Sequence, residues 1–124
     1  MSTQLAILHV EDNQDNRILI RRLLQSDGYE VLEADSATQA MDMIQVHSPD
    51  LILMDINMPD IDGYTLTTRL KGLPETSRIP IIALTANVMK GDRERTLQAG
   101  CDGYIEKPID VDNFLDVISR YVKR

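Results

Sequence analysis

The stretch 51-LILMDINMPDIDGY-64 begins with four apolar residues that run directly into the carboxylate of Asp55. Two further acids, a proline and a glycine follow within a few positions. A short apolar run that ends at turn residues is typical of a strand buried on both faces of a sheet. The stretch therefore predicts a strand at Leu51–Met54 whose carboxyl end presents Asp55.

The rest of the chain alternates between strand-like and helix-like patterns. Apolar runs predict strands at Leu5–Val10 and Ile79–Leu84, and weaker patterns after turn residues predict strands at Glu30–Ala34 and Asp102–Ile105. Apolar residues at helical spacing predict helices between them. These helices lie at roughly 14–26, from the Ser36 cap to about 44, at 62–72, at 89–99 with few apolar anchors, and from the Asp110 cap to 122.

This alternation predicts one α/β domain over residues 1–124, with a five-stranded parallel sheet and helices on both faces. The formal charge of −7 argues against direct binding to nucleic acid or to an anionic membrane. The single cysteine, Cys101, excludes an internal disulfide and suits a reducing, cytoplasmic compartment. The N-terminal apolar run is too short for a signal peptide, and no stretch is long enough to span a membrane.

Polar residues follow the predicted strands at the points where they end. Glu11 and Asp12 come after the first strand, Asp55 after the third, Thr85 after the fourth and Lys107 just after the fifth. All strands of a parallel sheet point the same way, so these side chains are expected at one edge, where open α/β sheets bind ligands.

The charges at this edge indicate what it binds. Three carboxylates against one ammonium leave an excess of two negative charges, which a divalent cation would balance. Oxygen ligands without histidine or cysteine point to Mg²⁺, which keeps several waters and shares phosphate oxygens. An aspartate carboxylate can act as a nucleophile towards phosphorus. The sequence therefore predicts a site for Mg²⁺ and a phosphoryl group around Asp55.

Four motifs together make the chain resemble, from end to end, the receiver domains of two-component response regulators, the family of the chemotaxis protein CheY. These motifs are VEDN at 10–13, LILMDINMPDIDGY at 51–64, ALTAN at 83–87 and GYIEKPI at 103–109. Residues 85–109 are most similar to DivK-like single-domain regulators and to receivers attached to hybrid histidine kinases. The resemblance implies a flavodoxin-like, doubly wound fold with the strand order 2-1-3-4-5.

The resemblance also implies roles for the acidic residues. Asp55 occupies the position of the phosphoacceptor. Asp12 matches a direct Mg²⁺ ligand, and Glu11 matches an acid that acts through metal-bound water. The backbone carbonyl of Asn57 is expected to complete the metal site.

Three further positions correspond to the phosphoryl-contacting and switching parts of the family. Thr85 and Lys107 match the hydroxyl and the ammonium that contact the phosphoryl group. The Lys107–Pro108 peptide matches a bond that is cis in the family. Tyr104 falls at the position of an aromatic switch, whose ring turns inward as the threonine moves.

The expected partners follow from the same resemblance. A sensor histidine kinase or histidine phosphotransfer protein would dock on the helix at 14–26. A downstream protein would read the face made by the fourth helix, fifth strand and fifth helix, and a phosphorylation-linked dimer remains open. Either the chain signals by protein contact alone or its output domain lies elsewhere. The reaction would be self-phosphorylation followed by hydrolysis, which is not conventional turnover.

Two other functions compete with the receiver. A haloacid-dehalogenase-like phosphatase also uses a Mg²⁺-bound aspartate, but its D-x-D pattern requires an acid at position 57, where this chain has asparagine. A pseudo-receiver would be an interaction module with a silent site.

One polar residue, His9, lies within a predicted apolar strand. It is expected to be a core or edge residue with one hydrogen bond.

Overall fold

The computed structural model describes residues 4–56, 58, 63–86 and 92–122, in which strands and helices alternate throughout. In chain order the elements are β1 (Ala6–Val10), α1 (Gln14–Ser26), β2 (Glu30–Ala34), α2 (Ala37–Val46), β3 (Leu51–Asp55), α3 (Gly63–Lys71), β4 (Ile81–Thr85), α4 (Asp92–Ala99), β5 (Gly103–Glu106) and α5 (Val111–Tyr121). Among the described residues, every helix is too short or too polar to cross a lipid bilayer.

The five strands form one parallel sheet in the order β2-β1-β3-β4-β5, as the resemblance implied. Strand residues alternate between two apolar layers, one on each face of the sheet. One layer packs the sheet against α1 and α5 through Ile20, Leu24, Phe114 and Ile118. The other packs it against α2 and α3. Helices therefore cover both faces, which leaves the carboxyl edge of the sheet as the place for a site.

The sequence-based strand limits were one residue short at the carboxyl ends of β3, β4 and β5, and β5 spans Gly103–Glu106 instead of the predicted Asp102–Ile105. The predicted fourth strand at Ile79–Leu84 is displaced to Ile81–Thr85, and the third strand extends to include Asp55. The backbone explains this, because the amide of Ile56 still donates to the carbonyl of Leu84 beyond Asp55. Asp55 and Thr85 are thus held inside the ladder rather than in the loops after it.

The helix caps predicted from the sequence are confirmed. The side chain of Ser36 accepts a hydrogen bond from the amide of Gln39, and that of Asp110 accepts one from the amide of Asp112. The predicted helices at 62–72 and 89–99 are confirmed over Gly63–Lys71 and Asp92–Ala99. Their predicted first residues, 62 and 89–91, lie outside the described residues.

Candidate functional site

Three carboxylates meet at the carboxyl edge of the sheet, as the strand pattern predicted. Glu11 and Asp12 follow β1, and Asp55 ends β3; these two strands are hydrogen-bonded neighbours. One oxygen from each carboxylate lies within 4.8 Å of the others. Glu11 and Asp55 are buried, whereas Asp12 is exposed. We call these three residues the acidic cluster; its exposed member leaves it open to solvent on one side.

Lys107 supplies the positive charge of the site. Its Nζ donates to Oδ1 of Asp55 over 3.1 Å and to Oε1 of Glu11 over 3.4 Å. Its backbone amide donates to the carbonyl of Thr85 over 2.8 Å, which fixes the loop after β5 against the end of β4. The Lys107–Pro108 peptide is cis, as the resemblance implied. Lys107 directly follows β5, and its ammonium group therefore contacts the acidic cluster from that side of the sheet.

Glu11 carries an unfavourable charge in this arrangement. Burial raises the pKa of the Glu11 carboxyl to about 7, and the adjacent Asp55 adds to the rise through a hydrogen bond and through its charge. Lys107 opposes the rise without cancelling it. Glu11 therefore exchanges a proton near neutral pH when no cation is bound, and a cation at the cluster would favour its ionised form.

The backbone around Glu11 is held by contacts that the sequence did not reveal. The guanidinium of Arg17, on α1, donates to the carbonyl oxygen of Glu11 over 2.7 Å. The amide of Glu11 donates to the carbonyl of Ala34 at the end of β2 over 2.9 Å. Asn13 caps α1 through its side chain, so the loop between β1 and α1 is fixed at both ends. The spacing of Arg17 from Glu11 gave no signal for this contact.

His9 lies two residues before Glu11 in the chain, next to the Glu11 carboxylate. The prediction that its side chain makes one hydrogen bond was wrong. Its side chain is fully buried, and neither ring nitrogen has a hydrogen-bond partner in the described part of the chain. Nε2 stands 3.9 Å from Oε1 of Glu11. Burial, with the nearby charge of Lys107, lowers the pKa of His9 to about 3, so the ring is neutral. Strand alternation could have revealed this pair, since residues two apart face the same side.

The predicted switch residues occupy the adjoining strands. Thr85 ends β4 and is fully buried, one step beyond Leu84, the register partner of Asp55. Tyr104 is half-buried on β5 opposite Ala83. Asn57, expected to offer its carbonyl to a metal, lies outside the described residues.

The first residue of α3 packs against the strand end that carries Asp55. A Cβ placed on Gly63 would lie 2.6 Å from the carbonyl oxygen of Asp55 and 2.9 Å from Cα of Ile56. The Gly63 amide also donates to the Ile56 carbonyl over 3.3 Å. Only glycine allows this close approach, so the start of α3 packs directly against the backbone at the end of β3.

The donor set fits a small, hard divalent cation. It consists of carboxylate oxygens, and two of the three carboxylates are buried beside a single ammonium group. Buried like charges of this kind are stabilised by a cation, and oxygen-only sites suit Mg²⁺ rather than zinc or copper. Lys107 opposes the rise in the pKa of Glu11, but burial and the adjacent Asp55 outweigh it.

A family model and a curated relative both match nearly the whole chain. A family model described as the response regulator receiver domain matches residues 7–119. The polar-differentiation response regulator DivK of Brucella ovis is 45% identical over 117 residues, which are 94% of this chain and 95% of that protein.

Solved structures agree in fold and in sequence. The receiver domain of the sensor histidine kinase PA1611 from Pseudomonas aeruginosa, with a magnesium ion coordinated in its active-site cleft, superposes with a TM-score of 0.88. It is 39% identical, and the match covers 96% of this chain and 98% of that one. The chemotaxis protein CheY4 of Vibrio cholerae superposes with a TM-score of 0.91 at 25% identity, over 97% of this chain and all of that one.

Proposed function

Because the chain belongs to the response regulator receiver domain family, we propose that Asp55 is the residue that accepts the phosphoryl group. The chain acts in two-component signalling. One observation carries the assignment to Asp55. Its carboxylate is buried at the end of β3, accepts a hydrogen bond from Lys107 and lies close to the two other acids of the cluster.

The chemistry at Asp55 follows from this placement. A carboxylate oxygen of Asp55 forms a bond to phosphorus, while the bond from phosphorus to the donor's imidazole nitrogen breaks and leaves its electron pair on that nitrogen. Lys107, which already contacts Asp55, is placed to follow the incoming phosphoryl oxygens and neutralise their charge. Thr85, at the end of the neighbouring strand, would donate its hydroxyl to another of those oxygens.

The cofactor of this reaction is Mg²⁺. Receiver domains bind Mg²⁺ at an acidic site, and here Glu11, Asp12, Asp55 and the backbone carbonyl of Asn57 would hold it. The ion would supply positive charge where the phosphoryl oxygens collect. Glu11 would act through a water, and Asp12, the exposed acid, would contact the ion directly. Hydrolysis of the aspartyl phosphate by water would then reset the domain, so the chain catalyses changes of its own state.

The family indicates the general classes of partner, and the structure suggests which surface each would bind. Receiver domains interact with histidine kinases or with downstream targets. For this chain, a histidine kinase or phosphotransfer protein would dock on α1, which borders the acidic cluster. A downstream protein, or a second phosphorylated copy, would read the surface of α4, β5 and α5 after Thr85 and Tyr104 change position. We place these contacts in the cytoplasm and regard residues 1–124 as one receiver domain.

The first test is intact mass spectrometry after incubation with Mg²⁺ and acetyl phosphate. One phosphoryl adduct is expected on the wild-type chain, and none on Asp55→Asn or after EDTA. Asp42→Asn, which removes an exposed acid from α2, is the matched control and should be modified like the wild type. An adduct of equal yield on Asp55→Asn would contradict the assignment.

The same experiment separates the two competing functions. The family match favours neither the phosphatase nor the silent module. Multiple turnovers of a small phosphate ester would indicate a phosphatase. If no adduct forms, beryllofluoride binding measured by ¹⁹F NMR separates rapid hydrolysis, in which the mimic binds, from a silent site, in which it does not.

A further inference from the structure

His9 is a buried polar side chain whose environment the phosphorylation chemistry does not explain. It is fully buried in β1, and both ring nitrogens lack a hydrogen-bond partner within the described residues. Buried polar side chains are nearly always paired, and an unpaired one costs stability. An apolar side chain at this position would avoid that cost. The imidazole therefore calls for a functional explanation.

The geometry identifies the atom that His9 faces. Its Nε2 stands 3.9 Å from Oε1 of Glu11, which is an ion-pair distance but too long for a hydrogen bond. That same oxygen accepts the weaker of the two bonds donated by Lys107, at 3.4 Å. A small rotation of the Glu11 carboxylate would bring Oε1 within bonding distance of the ring.

We propose that His9 is a positioning residue for Glu11, donating from Nε2–H to Oε1 when Mg²⁺ occupies the acidic cluster. The inference rests on the proposed function, because it needs the cluster to hold the metal. A donor beside a metal-site carboxylate fixes the orientation of that carboxylate. The other oxygen of Glu11, Oε2, accepts a long hydrogen bond of 3.5 Å from the backbone amide of Asn13. His9, which is fully buried and close to Oε1, offers such a donor.

The role of Lys107 makes this donor necessary. Lys107 currently divides its bonds between Asp55 and Oε1 of Glu11. When a phosphoryl group arrives, Lys107 turns to the phosphoryl oxygens, and Oε1 of Glu11 loses a donor. His9 then supplies the missing hydrogen bond from the opposite side, so the carboxylate stays oriented while the ammonium moves.

The test compares three variants in a Mg²⁺ titration followed by NMR. His9→Leu removes both nitrogens and is expected to raise the Mg²⁺ dissociation constant about tenfold, at the lower end of what outer ligands contribute. His9→Gln keeps a side-chain N–H and should recover most of the affinity. Ile7→Val, a buried change on the same face of β1, controls for packing and should bind Mg²⁺ like the wild type.

A measurement on the wild-type chain needs no substitution. Ring ¹⁵N spectra should show His9 as the Nε2–H tautomer, and its Nε2 signal should shift when Mg²⁺ is added. His47, exposed after α2, is the internal reference and should not shift. The Nδ1–H tautomer, or an Nε2 signal unchanged by Mg²⁺, would overturn the proposal.

The possible results separate a failure of the His9 role from a failure of the proposed function. If the wild type does not bind Mg²⁺, both fail. If the wild type binds Mg²⁺ and His9→Leu binds it equally tightly, the proposed function stands and the role of His9 is wrong. If His9→Leu and Ile7→Val weaken binding equally, the effect is one of packing, and the positioning role is also wrong.

Discussion

At the scale of single residues, Glu11 and His9 show how one buried environment acts in opposite ways on an acid and a base. Burial disfavours the charged form of each, so it raises the pKa of Glu11 to about 7 and lowers that of His9 to about 3. Both side chains are therefore biased towards neutrality. The stability of the metal-free protein should therefore depend on pH.

In the metal-free protein, Glu11 and His9 should make the free energy of unfolding depend on pH in opposite directions. The folded pKa of Glu11 is raised above its ordinary 4.5, so its contribution to the free energy of unfolding is full below about pH 4.5 and is lost as the pH rises through 7. His9 has a lowered folded pKa, so its contribution is full above about pH 6.5 and is lost as the pH falls towards 3. The two trends oppose each other between pH 4.5 and 6.5.

Glu11→Gln removes the pH-dependent contribution of Glu11 and leaves that of His9. Between pH 5 and 7.5 in EDTA, the variant should gain stability relative to the wild type, by an amount on the order of 1–3 kcal/mol. Urea unfolding at both pH values measures the difference. Parallel pH dependence of the two proteins would show that Glu11 is already ionised in the folded state.

Among the structural elements, apolar runs and weaker patterns after turn residues predicted the five strands, and their alternation with helices predicted the parallel arrangement. These patterns have a limit. They could not show where the strands end, because Asp55 and Thr85 are polar residues that continue the hydrogen-bond ladder. Charge and strand order together predicted the acidic cluster and Lys107. The contact of Arg17 with the Glu11 carbonyl, and the missing partner of His9, depend on side-chain directions that composition does not encode.

The weak apolar pattern of α4 has a structural counterpart. Leu97 is 56% exposed, and Thr96 is the buried residue among the described side chains of this helix. The guanidinium of Arg95 stacks over the ring of Tyr64 at 4.6 Å, which ties α4 to α3. By contrast, α5 buries Phe114 and Ile118 in the core.

This contrast predicts that α4 opens more easily than α5. Amide hydrogen exchange should be faster in α4 than in α5, because little apolar surface holds α4 to the sheet. Beryllofluoride with Mg²⁺ should change exchange in α4 and β5 and leave α2 as it was. Unchanged exchange in α4 and β5 would mean that the signal leaves the domain by another surface.

At the scale of the whole molecule, the parallel sheet brings together groups that are distant in the chain. The site draws on the ends of β1, β3, β4 and β5, so a ligand held there connects four strands. A ligand that binds only the folded state stabilises it by mass action. Metal binding and global stability should therefore be linked.

Mg²⁺ should raise the melting temperature of the wild type and EDTA should reverse the effect. At a Mg²⁺ concentration ten times the dissociation constant, the gain should be about 1.4 kcal/mol. Asp12→Asn should lose most of this gain, whereas Asp42→Asn, which removes the same charge from the surface of α2, should keep it. Equal gains in the two variants would indicate general screening of the −7 charge rather than a site.

The location of the phosphoryl group on the modified chain decides whether Asp55 is the phosphoacceptor. After reaction with Mg²⁺ and acetyl phosphate, borohydride reduction converts an aspartyl phosphate to homoserine, and tryptic digestion then gives a peptide spanning residues 23–69. Fragmentation of this peptide should place the homoserine at position 55, with the sequence around it unmodified. Homoserine at position 12, or at any other acid while position 55 remains aspartate, would show that Asp55 is not the phosphoacceptor.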